Sequence, residues 1–100
     1  MVTLVSVLPS VVDELEVALA ADGRSDLAKQ LRSATIERCT YEPTGDAGYI
    51  YLARARKSAF AETWAYPDLN IDVDIDAKVI GVEVLGRKEV YVLLKDARLL

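Results

Sequence analysis

Histidine is absent from these 100 residues, cysteine occurs once (Cys39), and Met, Trp and Phe occur once each. Each shortage removes a class of chemistry. One cysteine makes no internal disulfide. A structural zinc site normally takes four Cys or His ligands. A Ser-His-Asp or Cys-His mechanism would lack its base. No run reaches the roughly 18 apolar residues of a membrane span. Lys and Arg are missing from the first twelve residues, where a signal peptide wants a basic start, and Asp13, Glu14 and Glu16 interrupt its apolar region. Ala18-Leu19-Ala20 is therefore not read as a cleavage site. The expectation is a cytoplasmic protein that is not an enzyme, carries no cofactor, and meets neither membrane nor nucleic acid.

What is present is apolar. Of the 52 apolar residues thirteen are alanine, which leaves 39 larger side chains, enough for one core. The length fits one domain, 1–100, in three parts: helical 1–34, a sheet core 35–85 and a tail 86–100. Residues 2–7 alternate loosely and read as a short strand or a frayed lead-in. Pro9 suits a first helical turn. Leu8, Val12, Leu15 and Leu19 then make one apolar stripe. Gly23 is a helix stop, and Ser25 reads as the N-cap of a second helix with Leu27 and Leu31 on one face. Helices are predicted over 9–22 and 26–33.

From Thr35 onward β-branched and aromatic residues dominate. Strands are predicted over 35–42, 48–54 and 59–66, with 69–85 as a hairpin. The result is an antiparallel sheet of about four strands with helices on one face, an α+β fold. Glu42-Pro43-Thr44-Gly45-Asp46 is turn chemistry, with glycine supplying positive φ. Tyr49 and Tyr51 share one face of their strand. Leu69, Ile71 and Val73 alternate with Asn70, Asp72 and Asp74, giving one buried and one wet face. On the return strand Ile80, Val82 and Val84 should face the core. In the tail, Val90-Tyr91-Val92 favours strand by propensity, whereas Val90, Leu93, Leu94 and Ala97 favour helix by spacing; a C-terminal helix over 88–97 is taken.

Asp72, Asp74, Asp76 and Glu83 occupy positions 1, 3, 5 and 12 of a calcium-loop pattern. Ala77 stands where that loop needs glycine, and the flanks read as strands. These four are weak metal candidates, and no metal site is assigned. Residues 62–76 hold five acids and no base, while the other 85 residues hold 11 acids and 12 bases. The helical hairpin carries too many acids for a DNA-binding element, and Arg54-Ala55-Arg56-Lys57 reads as a solvated turn. Tyr49, Tyr51, Trp64 and Tyr66 are residue types that concentrate at interfaces.

The stretch Tyr41-Glu42-Pro43-x-x-Asp46-Ala47-x-Tyr49-Ile50-Tyr51-Leu52, followed by Asn70-Ile71-Asp72-Val73-Asp74-Ile75-Asp76 and Val79-Ile80-Gly81-Val82-Glu83-Val84-Leu85, resembles the YuzE-like family of small bacterial proteins of unknown function. The resemblance implies a hairpin at the Asp ladder, no catalytic residues, and an antitoxin-like partnership with a small protein. The functional expectation is a non-catalytic interaction module that forms a homodimer or docks on a partner protein through Asp72, Asp74, Glu62, Trp64, Tyr49 and Tyr51. The alternative is a small-ligand or divalent-cation-responsive module using the Asp72/Asp74 face.

Overall fold

A computed structural model describes residues 2–100. Four helices and five strands follow in the order α1 (Leu4–Val7), α2 (Pro9–Ala21), α3 (Ser25–Ser33), β1 (Ile36–Glu42), β2 (Ala47–Leu52), β3 (Phe60–Tyr66), β4 (Leu69–Asp74), β5 (Val79–Leu85) and α4 (Lys88–Asp96). The fold is α+β, with one antiparallel sheet ordered β1-β2-β5-β4-β3. The predicted hairpin 69–85 supplies two strands, so the sheet has five.

Leu8, Val12, Leu15 and Leu19 are all buried, as are Leu27 and Leu31, and together with Leu4 they form the helical half of the core. Burying each leucine contributes about 1.5–3 kcal/mol. The end of α2 is fixed by backbone bonds. Gly23, at φ +73°, donates its N–H to Ala20 O, and Arg24 N–H reaches Leu19 O at 2.8 Å. This double closure is what a left-handed residue after a helix permits. Because Arg24 completes it, α3 starts one residue earlier than predicted. Ser25 is its first residue rather than its cap, and Arg24 takes the N-cap position.

The lead-in is neither strand nor frayed. Thr3 accepts a hydrogen bond from Ser6 N, starting α1, while Leu4 N–H and Ile36 N–H bond to Ala34 O and Val2 O across the start of β1. Positive φ in the first hairpin falls on Asp46 (47°), not Gly45. Pro67-Asp68 does not merely end β3: with Asp68 at φ 68° it is a two-residue turn into β4. On β5, Val82 and Val84 are buried but Ile80 is not. The β4–β5 register shifts between Asp72 and Val73, so Val79 takes the core position opposite Val73 and Ile80 is the extra residue of a bulge.

The tail is a helix. Val90 and Leu94 are buried, while Leu93, expected on the same stripe, stays exposed. Tertiary contacts override the β propensity of Val90-Tyr91-Val92. The Tyr91 ring lies 4.3 Å from the Tyr41 ring, and Arg87, just before α4, bonds Glu14 of α2 at 2.5 and 2.8 Å. No described helix is long and apolar enough to cross a membrane.

Candidate functional site

The strand registers sort every sheet side chain onto one of two faces. Cys39, Ile50, Val82, Ile71 and Trp64 form one row across the sheet, on the helix side. Arg38, Tyr51, Gly81, Asp72 and Thr63 form the next row, on the opposite side, flanked by Thr40, Tyr49, Glu83, Asn70 and Ala65. The core and all its helical members lie on the first face. Among the described residues, the second carries no helix.

Gly81 sits at the centre of that uncovered face, and the Tyr49 ring lies over it. A Cβ on residue 81 would come within 2.5 Å of Cε1 and Cζ of that ring. Only glycine leaves the ring room to cross β5. Beyond it, Tyr49 Oη donates to Asp72 Oδ2 at 2.6 Å, and Thr63 Oγ1 donates to Asp72 Oδ1 at 2.6 Å. Burial, then the bond to Asp72, pushes the Tyr49 hydroxyl well above the ordinary phenol range. Beside this bridge Tyr51 packs its ring 4.6 Å from Tyr49. The Arg38 guanidinium stacks 3.6 Å above the Tyr51 ring. Asn70 Nδ2 donates to Glu83 Oε1 at 2.9 Å. The face is therefore aromatic and cross-braced, with its polar groups already aimed.

The structure separates the residues that the sequence grouped. Tyr49, Tyr51 and Asp72 share the uncovered face. Trp64 lies on the helix side, half-buried under the Arg24 guanidinium at 4.8 Å, with Tyr66 donating to Asp22 beside it at 2.8 Å. Glu62, on that same side, accepts from Trp64 Nε1. The four aromatics therefore line no common groove.

Asp74 is a larger correction, because it is buried at 3% exposure rather than wet. It closes the β4–β5 turn: Oδ1 accepts from Asp76 N (2.9 Å) and Lys78 N (3.0 Å), and Oδ2 from Arg54 Nη1 at 3.0 Å. Burial pushes its pKa up, but the two N–H groups and the guanidinium outweigh that and hold it below the ordinary value. Gln30 of α3 secures the same turn, giving to Ala77 O and accepting from Val79 N, each at 2.9 Å. Arg54 is thus a structural partner rather than part of a solvated turn. The acidic stretch is not an isolated patch either, since Arg56 faces Asp76 at 3.5 Å and Ser58 Oγ donates to it at 2.6 Å.

The calcium-loop spacing does not assemble. Among the described residues no group of three or more His, Cys, Asp or Glu is placed to hold a metal ion. Asp72 is taken by two hydroxyls, Asp74 by the turn and Glu83 by Asn70. A cleft of about 530 Å³ does open at this end of the sheet, walled by Leu52, Ala53 and Val79 and rimmed by Arg54, Arg56, Asp76 and Lys78.

Sequence reasoning missed Arg38, Thr63 and Gly81. The first two give no signal along the chain, because register alone brings them to Tyr51 and Asp72. A lone glycine inside a strand pattern was the available clue, since it marks close approach by another group.

Among known families, the one described as protein of unknown function (DUF2283) matches residues 38–87, which spans both motifs and all of the sheet except the first two residues of β1. That finding replaces the resemblance to the YuzE-like family. No curated protein and no solved structure matches the chain. All four helices, α1 to α4, lie outside the matched segment.

Proposed function

We propose that this chain, which belongs to the DUF2283 family of proteins of unknown function, is a non-catalytic module that docks on a protein partner through the helix-free face of its sheet. The observation that carries the reading is the cluster of Arg38, Tyr51 and Tyr49 on that face, held rigid by the Tyr49–Asp72–Thr63 bridge. Tyr and Arg are the side chains that dominate binding energy at protein interfaces, and groups already held in place lose little entropy on docking. Asp72 serves here as a brace. With both its oxygens engaged, the partner is recognised through ring stacking and hydrogen bonding more than through acidic charge. In the antitoxin-like form of this reading, the partner is a small toxin protein covered by the same face.

The test is affinity capture from the source cells with three baits: wild type, Tyr51→Ala and Arg38→Ala. A hot-spot truncation costs about 2 kcal/mol, about 30-fold in affinity. A protein that wild type retains and both folded variants lose supports the reading. Equal retention by all three overturns it.

A second reading, a small-ligand module, has one observation in its favour: the cleft beside Arg54, Arg56 and Lys78. Its size lies within the range of small-molecule sites, and its three bases outnumber the two acids that line it, Asp74 and Asp76, which leaves a net positive charge to favour an anion. A thermal shift series with phosphate and small carboxylates tests it. Ligand at about 100 times its Kd stabilises by about 2.7 kcal/mol, and a flat melting temperature at millimolar ligand removes the reading.

A further inference from the structure

The two edges of the sheet differ. The outer edge of β1 is covered at its start by Val2–Leu4. The outer edge of β3 pairs with no described segment. The usual devices that blunt such an edge are lysine, proline or a very short strand. Residues 60–66 (Phe-Ala-Glu-Thr-Trp-Ala-Tyr) contain neither lysine nor proline, and the bulge on β3 lies only at its Phe60 end.

The register defines which groups face outward. Tyr66 and Leu69 flank the two-residue turn, and Asp68 O is used by Leu85 N on the β5 side, so Leu69 turns to β3. Tyr66, Trp64 and Glu62 therefore bond inward, and the N–H and C=O of Thr63 and Ala65 point away from the sheet. We infer that two copies of this chain join β3 to β3 antiparallel, about a two-fold axis at Thr63, into one continuous ten-stranded sheet. In that register Thr63 meets Thr63 as a hydrogen-bonded pair, Ala61 meets Ala65, and Phe60, 56% exposed in the single chain, meets Tyr66. Glu62, the only charge on the strand, meets Trp64 of the second copy and not its own counterpart. It thereby comes beside the Arg24 guanidinium that covers that ring. A closed two-fold contact needs this self-complementarity.

This inference does not depend on the uncovered-face reading. The test is mass in solution, by light scattering after size exclusion across a concentration series. Wild type should reach twice the 11.0 kDa chain mass. Thr63→Pro removes the outward N–H, and Thr63→Lys keeps it but sets two like charges on the axis; both should stay at the single-chain mass with unchanged circular dichroism. Tyr51→Ala should still dimerise, which separates this contact from the proposed docking face. A wild-type monomer throughout the series, or a dimer that survives in both folded Thr63 variants, overturns the inference.

Discussion

Replacing Gly81 with alanine asks whether the bridge across the uncovered face is as tight as the geometry says. The added methyl would lie 2.5 Å from two Tyr49 ring carbons, so the ring must leave and its bond to Asp72 breaks. A hydrogen bond to a charged group is worth about 1.5–3 kcal/mol. Alanine in a strand returns about 0.5–1 kcal/mol over glycine. The net loss is about 1–2 kcal/mol. For a chain of 100 residues this lowers the melting temperature by about 5–10 °C. The assay is urea unfolding of wild type, Gly81→Ala, Tyr49→Phe and the double variant. In the Tyr49→Phe background no bond to Asp72 remains to be lost, so the cost of Gly81→Ala should shrink to about 0.5 kcal/mol. A coupling of about 0.5–1.5 kcal/mol is expected. Additivity within about 0.3 kcal/mol would refute the claim that the methyl acts by expelling the ring.

Two further predictions concern the β4–β5 turn. Asp74→Asn keeps the shape but sets an amide against the Arg54 guanidinium, so it should destabilise by about 3 kcal/mol; a loss under 1 kcal/mol in chemical denaturation would show that Asp74 does not hold the turn. Because the folded Asp74 pKa lies below the ordinary 3.8, its stabilisation is complete above that value and is lost as pH falls through the lower folded one. The gap between wild type and Asp74→Asn should be flat from pH 7 to 5 and narrow in acid; narrowing between pH 7 and 5 would contradict this. Ala77 holds φ 59° in the same turn, a conformation that costs a non-glycine residue about 1–2 kcal/mol. After the larger unfolded-state entropy of glycine is subtracted, Ala77→Gly should stabilise by about 0.5–1 kcal/mol, and a lower melting temperature would contradict the turn assignment.

The elements were legible where a single period ran unbroken. The Leu8–Leu19 stripe, the Tyr49/Tyr51 face and the Leu69–Val73 alternation each place their side chains as the structure does. Reading faltered where one residue shifts the phase. The β5 bulge moved Val79 inward and Ile80 out, and the closure at Arg24 moved the start of α3. The site was less legible, for a topological reason. Spacing along the chain put Asp72 and Asp74 together as a wet ladder. The crossing segment 53–59 brings Arg54 to Asp74 instead, 20 residues away in sequence. Likewise Trp64 joins Tyr49 by composition, but the register assigns them opposite faces of the sheet.

In the proposed docking mode the uncovered face is where this module meets its partner. Hydrogen exchange of the captured complex, compared with the free chain, tests it most directly. Docking there should give new protection in segments carrying Arg38, Tyr49–Tyr51 and Asp72, with the exposed side of α2 around Val17 unchanged. Protection confined to α2 or α4, with β1, β2 and β4 exchanging as in the free chain, would contradict it.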